Sequence, residues 1–180
     1  LFGAYFKVQS MAFMPVFGLN NGMIPIISYN YGAMKPDRMK RTMKLGVMVG
    51  CSIMLFCLVI MQIFPGQILK IFDATDDMLS MGIPAVRIMS TAFIFAGFSV
   101  TCSGMFQAVG KGVYSMIVSM ARQLFVILPV AYFLSKAMNS VNGVWAAFPI
   151  AEIFSVAISL ILLIRVYKKI VKPLENGQMV

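Results

Sequence analysis

The sequence has no histidine, and its six acidic residues stand against fifteen lysines and arginines in 180 positions. Without an imidazole there is no Ser-His or Cys-His pair, no histidine metal ligand and no side chain that ordinarily titrates near neutral pH. The acids form no paired-carboxylate motif either, so the expectation is no enzyme, no cofactor and no metal site. Charge is scarce altogether: 12% of residues are charged and 60% hydrophobic, against about 25% and about 45–50% in soluble domains. With a mean hydropathy of +0.88, this is the composition of a polytopic membrane protein, and its long apolar runs predict an all-α helix bundle. The net charge of +9 sits in short clusters between apolar runs, which marks membrane topology and predicts no nucleic-acid partner. Cys51, Cys57 and Cys102 lie inside apolar runs with no motif spacing and read as reduced thiols.

Charge-free stretches locate the spans, because a helix needs roughly 20 apolar residues to cross about 30 Å of hydrocarbon. Residues 8–34, 45–69 and 88–110 carry no charge; 113–135 is interrupted only by Arg122, and 141–164 only by Glu152. Extending the third stretch back to 85 gives five predicted transmembrane helices in a membrane domain over 1–172, with a cytoplasmic tail at 173–180. Lys35, Arg38, Lys40, Arg41, Lys44, Lys111, Arg165, Lys168, Lys169 and Lys172 fall on one side, against Lys70, Arg87 and Lys136 on the other. The richer side is expected to be cytoplasmic, with the C-terminus inside. The chain opens on Leu1 with no basic leader, so it is read as a fragment missing an N-terminal part.

The first span is the most unusual, with Pro15, Pro25, the pair Asn20-Asn21 and the end Ser28-Tyr29-Asn30-Tyr31-Gly32. Proline removes a backbone hydrogen bond, so Pro15, Pro25 and, in the fourth span, Pro129 are read as helix breaks. Asn20 lies about 18 Å along from Val8, near mid-bilayer. Either the asparagines bond a neighbouring helix or, with Tyr29, Asn30, Gln107 and Gln123, they line a pathway. Gly18/Gly22 and Gly46/Gly50 are GxxxG steps expected to bring helices close.

The run Gly-Leu-Asn-Asn-Gly-Met-Ile-Pro-Ile-Ile-Ser-Tyr-Asn-Tyr-Gly-Ala at 18–33, followed by Asp37-Arg38, resembles the eighth span and next loop of the multidrug and toxic compound extrusion (MATE) transporters. Phe-Gln-Ala-Val-Gly-Lys at 106–111 is similar to the end of their tenth span. Arg122-Gln123 with Pro129 is similar to their eleventh, and Gly143-Val144-Trp145 with Pro149 to the start of their twelfth. The resemblance implies five spans of a twelve-helix, two-lobe fold that exports organic cations or other amphiphiles in exchange for sodium or protons. It also implies that the N-terminal lobe of the same protein is a missing partner. One branch carries an acid in the tenth span; 88–110 here carries none.

Two charges fall inside spans, where charge is costly. Counted from the span ends, Arg122 lies about 12 Å and Glu152 about 15 Å from opposite faces, so their depths in a core of about 30 Å differ by about 3 Å. They are expected to pair between antiparallel helices; the alternatives are Arg122 snorkelling to the interface and Glu152 coupling protons. In the acidic turn 73–77, an Asp or Thr is expected to cap a helix beginning near Met78 rather than bind metal. Seventeen methionines would suit a promiscuous binding wall or reflect codon bias. Tyr167 with Lys168, Lys169 and Lys172 reads as a basic tail on anionic membrane lipids. Besides an efflux antiporter, a lipid-linked oligosaccharide flippase or a scaffold that transports nothing would fit this composition.

Overall fold

The computed structural model describes residues 2–71, 75–138 and 142–177. Helices account for nearly all of them: α1 (Phe2–Gly32), α2 (Pro36–Ile63), α3 (Pro65–Ile71), α4 (Asp76–Ser90), α5 (Phe93–Ala108), α6 (Gly112–Met120), α7 (Leu128–Met138), α8 (Asn142–Val166) and α9 (Lys172–Glu175), with π-helical segments at Ala121–Ile127 and Tyr167–Val171. Four spans are long and apolar enough to cross a bilayer (Phe6–Gly32, Pro36–Ile63, Gly112–Lys136 and Val144–Glu175), and α4 with α5 makes a fifth, bent by 48°. Phe56, Phe125 and Phe133 are each about two-thirds exposed, pointing outward from the bundle as lipid-facing residues do.

Local chemistry explains where the element boundaries depart from those expected. The third span is not one straight helix: Thr91 and Ala92 close it with i→i−3 bonds to Ile88 and Met89, and Thr91 Oγ1 also bonds the Ile88 carbonyl at 2.6 Å. These tight turns redirect the axis. The second span starts at Pro36, so Arg38, Lys40, Arg41 and Lys44 are helical. It ends at Ile63 rather than 69, because Pro65 steers the residue before it away from the helical region. Pro15 and Pro25 do not break α1, which runs unbroken through both; each forfeits one hydrogen bond while the other helical bonds hold the axis. Pro129 likewise lies within helix, two residues after the π-helical segment. The tail beyond 172 is partly structured: Leu174 is buried and Glu175 pairs with Lys40 of α2. Thr75 caps α4 by accepting from the Met78 N–H at 3.4 Å; Asp73 lies outside the described residues.

Two apolar clusters fill the bundle. One gathers Val16, Met54, Met89, Phe93 and Trp145; the other gathers Met23, Ile27, Met105, Phe106, Leu162 and Ile170. Between them, α2 meets α5 through glycine: a Cβ on Gly50 would stand 2.5 Å from Thr101 Oγ1, and one on Gly97 2.9 Å from Met54 Cγ. The Gly46/Gly50 step therefore packs as expected, since only hydrogen fits there. Gly18 and Gly22 do not: nothing among the described residues comes within 4 Å of their Cβ positions.

Candidate functional site

Along three helices, polar residues occupy the gap between the two apolar clusters. On α1, Asn20 falls between Val16 and Met23; on α5, Ser99 falls between Ala96 and Cys102; on α8, Glu152 and Ser155 fall between Trp145 and Leu162. They share a cavity of about 590 Å³ lined by α1, α5, α6, α8 and the π-helical segment of the fourth span. The α1 wall includes Phe6, Ser10, Phe13, Phe17, Asn20 and Ile24, three and four residues apart along one helix face, with Gln9 and Asn21 beside them.

Arg122 and Glu152 meet in this cavity. Arg122 Nη1 donates to Glu152 Oε1 at 2.8 Å, and Glu152 is 8% exposed. An isolated charge at that depth would be costly; the pair, with its charge-assisted bond, offsets part of the desolvation. Arg122 and Gln123 enter the cavity from the π-helical segment Ala121–Ile127. There the i→i+5 turn widens the helix, and Pro129 offers no N–H to the carbonyl four residues before it. Asn20 is held by its own bond, Nδ2 donating to the Val100 carbonyl at 2.9 Å. Its carboxamide fills the space over Gly104, where a Cβ would lie 2.8 Å from Asn20 Oδ1.

Of the residues expected to line a pathway, Asn20, Asn21, Gln107 and Gln123 line the cavity. Tyr29 and Asn30 do not. Tyr29 is 71% exposed on the outer face of α1, and Asn30 turns back to bond the Ile26 carbonyl at 2.8 Å. An asparagine near a helix end can donate its amide N–H back to the preceding turn, and beyond Ile24 no described α1 residue lines the cavity. No methionine among the described residues lines the cavity; Met39, Met54, Met89 and Met105 are core instead.

Sequence reasoning overlooked the serines. Ser99 and Ser103, Ser115 and Ser119, and Ser155 line the cavity from three successive spans. The signal was present: Ser99/Ser103, Ser115/Ser119 and Ser155/Ser159 are each four apart, a polar stripe repeated on one face of three otherwise apolar helices. Ser115 donates to the Ser103 carbonyl at 2.7 Å, joining α6 to α5. Four buried cavity oxygens have no partner among the described residues: Asn20 Oδ1, Ser99 Oγ, Glu152 Oε2 and Ser155 Oγ. Buried polar atoms are nearly always bonded, so these four mark the places where the bonding of the layer is incomplete. No group of three or more acidic or cysteine side chains that could hold a metal ion occurs among the described residues.

The MatE family model matches residues 2–133. The chain is 25% identical over 145 residues to the multidrug export protein MepA of Staphylococcus haemolyticus, covering 81% of this chain and 32% of that protein. It is 26% identical over 160 residues to MepA of Staphylococcus saprophyticus, covering 89% and 35%. It thus spans about a third of the length of these relatives. Among solved structures, the MATE multidrug transporter DinF-BH superposes with a TM-score of 0.83 at 30% identity, over 92% of this chain and 37% of that one. The inward-facing conformation of a multidrug resistance MATE family transporter superposes with 0.86 at 17% identity, over 97% and 40%, a likeness of fold.

Proposed function

The chain belongs to the MatE family, whose model covers residues 2–133, and on that premise we propose that it serves a secondary active multidrug efflux antiporter. It would export organic cations or amphiphiles in exchange for sodium or protons by alternating access. The observation that carries this reading is the polar layer at mid-bundle. Asn20, Asn21, Gln107, Arg122, Gln123 and Glu152 face one cavity of about 590 Å³ while large apolar side chains face out. A scaffold has no need of a buried ion pair bordering a cavity, and a helix bundle places ligand sites where facing helices present convergent polar groups. A flippase for pyrophosphate-linked sugars would ask for more cations in the cavity than Arg122 alone.

In this reading the described helices form one wall and the remainder of the transporter supplies the facing lobe. The end of the bundle that carries Arg38, Lys40, Arg41 and the Lys168-Lys169 pair faces the cytoplasm, and the C-terminus lies on that side. The Lys40–Glu175 contact, which holds the C-terminal turn against the start of α2, supports a shared end. Dye accumulation in cells expressing the intact protein tests the function. Wild type should lower accumulation of the cationic dye ethidium, and Glu152→Gln with Arg122→Gln should return it to the level of cells lacking the protein. Equal accumulation with and without the wild-type protein would overturn the assignment.

A further inference from the structure

We propose that Glu152 is a proton-binding carboxyl, and that Ser155 and Ser159 are the hydroxyls that receive its protonated form. Most serine and threonine hydroxyls in these helices are satisfied by a backbone carbonyl: Ser10 by Phe6, Ser52 by Met48, Thr42 by Arg38, Thr101 by Gly97 and Ser28 by Ala108. That is how a hydroxyl is usually accommodated in a transmembrane helix. Ser155 and Ser159 on α8 depart from it, as does Ser99 on α5. Both α8 serines are about 1% exposed or less, and neither hydroxyl has a partner among the described residues. They follow Glu152 on α8 by three and seven residues, so the three lie along one helix face.

Glu152 itself is only half satisfied. Oε1 accepts from Arg122, while Oε2 is buried without a partner among the described residues. The Ser155 hydroxyl, one turn on the same face, is not bonded to that oxygen here; brought within reach by rotation, it can donate to the carboxylate or accept from the O–H of the acid. The Ser155 O–H is then free to donate onward toward Ser159. Proton uptake is balanced simply: hydronium in the cavity gives H⁺ to Oε2 and remains as water, and the ion pair with Arg122 becomes a neutral-acid hydrogen bond. A metal ion suits the arrangement less well. Seven residues cover about 10 Å of helix, so these oxygens cannot close on one ion whose ligands stand at about 2.4 Å.

Among the described residues, Arg122 is the one charged group facing Glu152 across the cavity; α1, α5 and α6 present Asn20, Asn21, Ser99, Ser103, Gln107, Ser115 and Ser119, none of which titrates. Elsewhere on the elements against α8, α4 carries Asp76, Asp77 and Arg87, α6 carries Tyr114, and α7 carries Tyr132 and Lys136, none of them among the described residues that line the cavity. The π-helical segment after α8 carries exposed Tyr167, Lys168 and Lys169 beyond its far end.

The inference deepens the transport reading by naming its proton site, yet its test reads protonation and not transport. Infrared difference spectra of the intact protein in lipid vesicles, acid minus alkaline, should contain a protonated-carboxyl C=O band that Glu152→Gln removes. Ser155→Ala removes a hydroxyl that can bond either form: if it serves the acid, the midpoint moves to lower pH, by about threefold or more in proton affinity, and Ser155→Thr restores it, whereas a move to higher pH means that it donates to the carboxylate and overturns the serine assignment. Should Glu152→Gln fail to fold, Glu152→Asp keeps the carboxyl and should shift the band. A band that survives unchanged in the Glu152 variants, or a midpoint that ignores Ser155→Ala, would overturn the proposal. Dye export measured on the same vesicles separates the two claims, since export absent beside an intact Glu152 titration sinks only the transport reading.

Discussion

The α2–α5 seam and the α8 wall of the cavity are built from residues of similar size and work in opposite ways. Where α2 meets α5, glycine opposes glycine: a Cβ on Gly97 would lie 3.1 Å from the Gly50 carbonyl oxygen, and the hydroxyl of Thr101 beside it is bonded to Gly97 at 2.8 Å. On α8 the small residues are serines, set beside a cavity and without partners among the described residues. Lipid gives helices no hydrophobic reason to associate, so the first contact is held by close van der Waals approach and admits nothing. The second forgoes that approach and retains polar groups that a guest or water can meet. In these helices the hydroxyl of the joint is bonded to the backbone and those of the α8 wall have no partner among the described residues.

The contrast is most sharply broken on the wet side. Arg122→Ala leaves Glu152 buried without its counter-charge, at a cost of about 3–5 kcal/mol when ionised. The melting temperature of the solubilised protein should therefore fall most at alkaline pH and recover toward acid, where a protonated Glu152 needs no partner. Joint replacement Arg122→Met with Glu152→Gln should restore most of the loss at every pH. On the dry side, Gly50→Val forces a branched side chain against Thr101 and should cost about 1–3 kcal/mol with no dependence on pH. Asn20→Ala loses the bond to Val100 but also removes the unpartnered Oδ1, so thermal unfolding should shift by about 0.5–1.5 kcal/mol, toward the low end. The smallest effect belongs to Gly22→Ala. With open space at its Cβ, the change should be neutral or slightly stabilising through helix propensity, by under about 1 kcal/mol. A Gly22→Ala penalty equal to that of Gly50→Ala would mean that another element covers that face in the intact protein.

The fold class was legible because charge-free length is a strong signal in lipid: four long apolar helices and one bent pair overlap the apolar stretches of about 20 residues. The Arg122–Glu152 contact was legible too, since rise per residue fixes depth once helix direction is known. What escaped was set by single hydroxyls and prolines whose effects depend on the neighbour. Thr91 bends the third span by bonding Ile88, while Thr101, ten residues on, bonds Gly97 inside an unbroken helix. Gly18/Gly22 and Gly46/Gly50 are identical as patterns and differ only in having a helix opposite. The cavity serines were hidden for a subtler reason: each taken singly is an ordinary helix residue, and only the repeat of the same spacing in three spans distinguishes them.

The bend at Thr91 and Ala92 also has a mechanical side. Helix α4 has 15 residues, with Pro84 inside it, and is about 22 Å long at about 1.5 Å per residue; it is joined to α5 by two residues whose amides reach back only three positions. A change of about 10° in that bend would displace the Asp76 end by about 4 Å over the length of the helix. Two backbone turns and one threonine hydroxyl at 2.6 Å therefore set where the far end of the third span stands.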